Sequence, residues 1–313
     1  MIVTRDQFPD FFKSTMAPAL DVIQTDGYEM PEAQREHIFN IEKMTGSVAT
    51  DHGFSGVGRF HEMEEGADIR FDRPVPLFKK FWQPSRFGLG IEVSYEAVAD
   101  DQVGLIKDMA LQLGRSARDT KEAYAAAVLD NGFNPAFAGP DSKPLFATDH
   151  PLVKAQGVQS NKLAIPADLS VTSLQTALTL FMTMKDSTGK PIVTKPDHLI
   201  IPATLQFTAV EVLGVGSGGL MRSDTGNNTV NAFKNVPGVG VFDGVIAWRY
   251  LQDDDAWFVA GKVGTTGLVI KEREKLSKGR GYNDYNDVGF TKMTYREAIG
   301  WRHPWGVVGS QGS

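Results

Sequence analysis

Apolar side chains recur at intervals of three and four from Ile106 through Ala110, Leu113, Ala117, Thr120 and Tyr124 to Ala127, with Lys107, Arg115, Arg118 and Lys121 off that stripe. The pattern predicts an amphipathic helix over 95–130. Ser94 stands as its N-cap, Glu96, Asp100 and Asp101 lie near its positive end, and Asn131-Gly132 closes it. At about 1.5 Å per residue such a helix is roughly 50 Å long, more than a compact unit needs, so a flat, elongated molecule is expected.

Upstream, Thr4 and Gln7 have the spacing of a capping box ahead of Phe8, Phe11 and Phe12, while Pro9, Pro18 and Pro31 are expected to divide the segment into short helical pieces. The second piece opens at Pro31 and runs toward Met44. An arm this rich in aromatics needs a surface to lie on. From Gly53 to Glu92 glycines and alternating residues predict a long, twisted β-hairpin, with strands around Ile69-Arg70-Phe71 and Leu89 to Val93. Its charges are segregated: Glu62, Glu64, Glu65 and Asp68 come first, then Lys79, Lys80 and Arg86 among Phe78, Phe81 and Trp82. A connection of this length within a compact domain points to a function.

Beyond the long helix, Pro166 to Val269 reads as an α/β unit. Ser170 caps a helix carrying Leu174, Leu178, Phe181 and Met182; His198 to Ile201 is a short buried strand; Ala203 to Leu213 is helical. Val239 to Phe242, Val245 to Tyr250 and Trp257 to Ala260 continue it as strands, and Phe290 to Val308 reads as returning strands.

Composition narrows the function. The 313 residues can bury a substantial core, and 42% hydrophobic with 22% charged residues excludes general disorder. No apolar run approaches the ~20 residues that cross a bilayer, and the start lacks a signal-peptide stretch, so the chain is expected to stay where it is made, without a membrane partner. Absence of cysteine rules out disulfides and thiolate chemistry and suits a reducing cytoplasm. A net charge of −6 opposes a protein that coats DNA, although it suits a container wall along which DNA must slide.

Each candidate for chemistry has a plainer reading. Gly214, Gly216 and Gly219 match the dinucleotide fingerprint, but a helix precedes them where the fingerprint needs a strand, so a mobile exposed loop from Gly214 to Asn228 is expected. Asp149-His150 could pair as a base and its orienting carboxylate, yet adjacent side chains diverge and Pro151 signals a turn. Asp253 to Asp255 reads as a solvated turn, and the six histidines show no metal spacing. No catalytic, metal or cofactor residue is assigned. Lys79, Lys80, Phe81, Trp82, Arg86, Glu64 and Glu65 are taken as a subunit interface, since aromatic and cationic side chains concentrate in interface anchors.

The order arm, hairpin, long helix, α/β unit and returning strands resembles tailed-phage major capsid proteins of the Hong-Kong-ninety-seven-like fold. The resemblance is sharpest to Mu-like major head subunits, at Asp141 to Pro151 with Ser160-Asn161, at Lys185-Asp186 with Gly189-Lys190-Pro191, and at Pro196 to Pro202. It implies an α+β chain with an N-terminal arm (1–52), an E-loop hairpin (53–94), a peripheral domain with a spine helix (95–165), an axial domain (166–269) and a return to the peripheral domain (270–313). The implied function is a non-enzymatic shell subunit that forms hexamers and pentamers of an icosahedral virion capsid after synthesis in the host cytoplasm. Implied partners are other copies of itself, a scaffolding protein, a portal, a decoration protein and, non-specifically, packaged DNA. Some members cross-link an E-loop lysine to a neighbour's asparagine; Lys79 and Lys80 are the candidates, with no matching Asn or Glu identified. An encapsulin-like nanocompartment is the alternative of the same fold, and a soluble nucleotide-binding enzyme the alternative of another class.

Overall fold

The computed structural model describes residues 4–313 except 67, 70, 101–102, 156, 193 and 214–243. A 3-10 turn (Arg5–Gln7), α1 (Phe8–Phe11), a π-helical turn (Phe12–Met16) and α2 (Ala17–Glu29) follow without a gap. Thr4 makes no side-chain cap bond, so the expected capping box is absent. Nor do Pro9 and Pro18 interrupt the run. Pro9 occupies the first turn of α1, where its missing N–H is no loss, and Pro18 follows the wider π turn, which accommodates its ring. The helix expected from Pro31 toward Met44 is instead a 3-10 turn (Gln34–His37) and strand β1 (Asn40–Lys43).

Strands β2 (Ala49–Phe54) and β3 (Pro76–Trp82) form an antiparallel pair, followed by β4 (Ser85–Ser94), α3 (Tyr95–Ala99) and α4 (Val103–Asp130). Ser94 Oγ accepts the Ala97 N–H and so caps the short α3; the single helix expected over 95–130 is thus two, α3 ending at Ala99 with Asp100 non-helical and α4 starting at Val103. A short pair, β5 (His150–Pro151) and β6 (Val158–Gln159), precedes α5 (Val171–Met182), whose Ser170 and Ser173 form a reciprocal capping box. Then come β7 (Pro196–Ile201), α6 (Gln206–Leu213), β8 (Gly244–Ala247), β9 (Trp257–Gly261), β10 (Leu268–Asn283), β11 (Val288–Trp301) and β12 (Val307–Ser310). Val239 to Phe242 lies outside the described residues, and Trp248 to Tyr250 leaves the strand expected there for a turn.

Two four-stranded sheets result, ordered β1-β10-β11-β4 and β12-β9-β7-β8. Helices α5 and α6 cover the second sheet through Leu174, Phe181, Leu199, Trp257 and Val308. A joint core of Phe39, Leu129, Phe146, Trp248, Phe258, Ile270 and Trp301 lies where both sheets meet the end of α4. The N-terminal helices pack Phe8, Phe12 and Leu20 on Val93, Ile106 and Ala110, so the arm lies on its own chain.

Helix α4 departs from the expected stripe in its second half. Ile106, Ala110 and Leu113 are buried, but the buried face then turns to Arg118, Lys121, Glu122, Ala125 and Leu129, leaving Tyr124 exposed. Paired partners make the buried charges tolerable. Arg118 donates to Tyr28 O (3.2 Å) and Lys121 to the Tyr28 hydroxyl (3.3 Å); Glu122 Oε2 accepts the Arg35 N–H and Trp248 Nε1–H, both at 3.0 Å. Arg35 in turn pairs with buried Glu297 at 2.9 Å. Helices α2 and α4 cross so closely that a Cβ on Gly114 would stand 2.2 Å from Gln24 O, and one on Gly27 2.3 Å from Leu111 O.

Candidate subunit interface

The pleat of β3 separates the cluster that is contiguous in sequence. In register, Ala49 faces Trp82, Thr50 faces Phe81, Asp51 faces Lys80 and His52 faces Lys79. Alternation turns Lys80 and Trp82 toward the body and Lys79 and Phe81 away from it. Trp82 is only 2% exposed and packs with Val269 and Ala298, whereas Phe81 is 66% exposed. The expectation of Trp82 as an exposed anchor is therefore corrected: its ring fastens the hairpin root to its own sheet. Its Nε1–H donates to Asp51 Oδ2 at 3.0 Å.

Asp51 and Glu42 form a cluster there with Lys271 and Arg302. Lys271 Nζ lies 2.6 Å from Glu42 and 3.1 Å from Asp51, and Arg302 lies 2.5 Å from Glu42 and 3.6 Å from Asp51. Burial pushes the Glu42 carboxyl up, but hydrogen bonds from Lys271 and Arg302 outweigh it and hold the group below its ordinary value. Lys80 sits beside this cluster with Nζ 5.5 Å from the Trp82 ring centre and 5.3 Å from that of Trp301. It has no ion pair among the described residues, and burial pushes its ammonium pKa down.

Between β2 and β3 the described residues of 55–75 form an irregular loop, and Ile69 and Phe71, where a strand was expected, lie outside any strand. Its base is clamped. Ser55 N–H donates to Val75 O (2.8 Å), Gly58 N–H to Asp72 Oδ2 (2.5 Å) and Lys154 Nζ to Asp72 (2.8 Å), while Lys190 reaches Val57 O. The Lys154 hydrogen bond, and next that of Gly58, hold the Asp72 carboxyl below its usual range. Beyond the clamp Phe60 (107%) and Phe71 (87%) are open to solvent, with Met63 and Ile69 also exposed. Glu62, Glu64, Glu65 and Asp68 make no ion pair among the described residues. Arg86 lies apart, on β4 opposite Arg296.

A cleft of ≈ 320 Å³ opens between the hairpin root, Pro140-Asp141, His150-Pro151 and Arg302 to Trp305. Buried His150 is its fixed wall. Its Nδ1 is 2.6 Å from Asp141 Oδ2 and its Nε2 3.1 Å from Asn161 Oδ1; Asn161 is itself set by donating to Leu145 O and Pro304 O and by accepting the Ala147 N–H. The partner of His150 is thus Asp141, while Asp149 pairs with Lys143. Both ring nitrogens are engaged, so the ring positions the chain. The spacing of Asp141, His150 and Asn161 in one polar segment was the available signal, but sequence alone does not say which of them meet.

The remaining motifs stay apart from this surface. Asp253 Oδ1 accepts the Asp255 N–H in a bend, and among the described residues no three His, Asp or Glu side chains are placed to hold a metal. The segment 214–243, with the glycine-rich run and the loop expected to be mobile, lies outside the described residues; α6 directly precedes it.

The chain matches the family model described as "Phage capsid protein" over residues 79–310. No curated protein matches it. Among solved structures, a virus-like particle from Pyrococcus furiosus is similar at a TM-score of 0.54 and 11% identity, covering 94% of this chain and 98% of that one. The procapsid of bacteriophage JBD30 gives 0.53 and 13%, covering 96% and 74%. The capsid of cyanophage P-SCSP1u gives 0.55 and 12%, covering 89% and 87%.

Proposed function

Because the chain belongs to the phage capsid protein family and is a structural shell subunit, we propose that the β2/β3 hairpin and its loop 55–75 join each copy to its neighbour in the capsomer. One observation carries this reading: Phe60 and Phe71 project into solvent from a loop whose base is clamped by Asp72, Lys154 and Lys190. Large apolar side chains held away from their own core are covered by assembly. Phe81, on the outward face of β3, extends the same surface, and Lys79, two residues before it on that face, adds positive charge.

Copies joined in this way form hexamers and pentamers of an icosahedral shell around packaged DNA. The parts act as arm (1–52), E-loop (53–94), peripheral domain (95–165 and 270–313) and axial domain (166–269), the hairpin proper spanning β2 to β3. Assembly takes place in the host cytoplasm with a scaffolding protein, a portal and a decoration protein, and involves no catalysis. Membership in a phage capsid family makes the nanocompartment alternative the less favoured.

The test is the pair Phe60→Ser and Phe71→Ser in one chain. Far-UV circular dichroism and melting should match the parent, while negative-stain microscopy shows no shells, since each lost aromatic contact costs on the order of 2 kcal/mol at every repeat. Normal shells from this variant would refute the reading.

A further inference from the structure

The cluster at the hairpin root is one negative charge short. Lys80, Lys271 and Arg302 face two carboxylates, Glu42 and Asp51, and both carboxylates are already taken up by Lys271 and Arg302. Lys80 lines the adjoining cleft together with Phe54, Phe78, Pro140, Pro151 and Trp305. A half-buried ammonium bordered by aromatic and proline surface suits a ligand with a carboxylate on an apolar body. Such a segment exists on the chain itself. Between Gly58 and Asp72 the loop carries Glu62, Glu64, Glu65 and Asp68 against two arginines, Arg59 and Arg70, and interleaves the acidic residues with Phe60 and Met63; these four carboxylates and two apolar side chains are exposed.

We propose that the cleft beneath the hairpin root, with Lys80 as its charged contact, receives the acidic tip of the loop from a second copy of this chain. The inference rests on the reading of the loop as an intersubunit contact and adds its receptor. Charge complementarity sets the occupant: four tip carboxylates without an ion pair meet a cation without one, and Phe60 and Met63 meet the apolar lining. The chain's own tip is not that occupant, because its base is fixed at Gly58 and Asp72 and its Phe60 stands wholly in solvent. About five extended residues on each side of the tip span at most roughly 18 Å, a reach that allows an adjacent subunit and no more distant one.

The experiment uses full-length chain, half of it nitrogen-15 labelled, assembled into shells and treated with a water-soluble carbodiimide, which joins an ammonium to a carboxylate only in direct contact. Peptide mass spectrometry is expected to find Lys80 linked to Glu62, Glu64, Glu65 or Asp68, with mixed-isotope pairs that mark two subunits. In Lys80→Arg the charge remains, so shells should form while the cross-link disappears; Lys80→Met should raise the protein concentration needed for assembly by about fivefold or more. Shells in which the tip links to another position on the neighbour would overturn this inference and leave the proposed function standing. A Lys80 link of uniform isotope, and hence within one subunit, would overturn it as well. Failure of the parent chain to form any particle would remove both.

Discussion

Replacing Trp82 with alanine separates two roles that the same residue could hold. Its ring is 2% exposed, packs on Val269 and Ala298, donates to Asp51 at 3.0 Å and lies beneath the ammonium groups of Lys80 and Lys271 at 5.5 and 5.8 Å. Truncating a buried aromatic to alanine costs about 3–5 kcal/mol in transfer and cavity terms. The lost hydrogen bond leaves an Asp51 oxygen short of a donor and adds about 1 kcal/mol. Set against the ~5–15 kcal/mol that holds a typical domain folded, Trp82→Ala should unfold the subunit at much lower denaturant. Trp82→Phe, which retains most of the apolar volume, should cost only about 1–2 kcal/mol. Urea titration of dissociated subunits by far-UV circular dichroism measures both: the midpoint should fall with an unchanged slope, more for Ala than for Phe. A Trp82→Ala subunit that unfolds at the parent midpoint yet makes no shells would refute this account, because the ring would then belong to an intersubunit contact.

Two further variants probe the body of the subunit. Burial pushes the Glu122 carboxyl above its ordinary value despite hydrogen bonds from Trp248 and Arg35, so the native state binds a proton there more readily than the unfolded chain. Stability from this group should fall as pH rises from the ordinary carboxylate value through the raised one, and Glu122→Gln should flatten that slope in urea midpoints measured between pH 4 and 8, a range set by the ordinary carboxylate value of about 4.3. Gly114→Ala should cost at least about 1–3 kcal/mol, because its Cβ would stand 2.2 Å from Gln24 O, while Gly104→Ala, in open space on the same helix, should stabilise by up to about 1 kcal/mol; thermal melting of the pair decides.

Much of the architecture could be read from periodicity. The Ser170-capped helix, the strand at His198 to Ile201, the returning strand ending at Trp301 and, from Val103 on, the long helix all carry a local period or cap and are present. Three features have no such signal. Strand β10 begins with four consecutive buried residues, Leu268 to Lys271, and continues as a largely exposed ribbon, so no stretch of it alternates cleanly. The inward turn of Arg118, Lys121 and Glu122 depends on Tyr28, Arg35 and Trp248, roughly 90 to 125 positions away, and a helical wheel assigns charge to solvent by default. At the hairpin root, the basic and aromatic composition of residues 79–82 was legible, but not which half faces in; that follows from the register of Asp51 with Lys80 and from the packing of Trp82 on Val269 and Ala298 of the four-stranded sheet, both distant in the chain.

The buried and half-buried polar groups lie where segments far apart in sequence meet. Glu122 joins the 3-10 turn at Arg35 to the turn at Trp248, Glu42 and Asp51 join β1 and the hairpin root to Lys271 and Arg302, and Asn161 joins Leu145 to Pro304. Apolar contact is non-directional and tolerates sliding, whereas a hydrogen bond between buried groups loses its energy within a few tenths of an ångström and a few tens of degrees. Removing one partner of such a pair is costly even where the pair itself adds little net stability, so these joints fix geometry more than they raise the melting point. A shell subunit needs that division: its body has to repeat with one shape around every axis, and the adjustment between neighbours falls to parts with few fixed contacts. On the proposed reading one such part is the loop beyond the Asp72 clamp, where Phe60 is exposed and four carboxylates have no ion pair among the described residues.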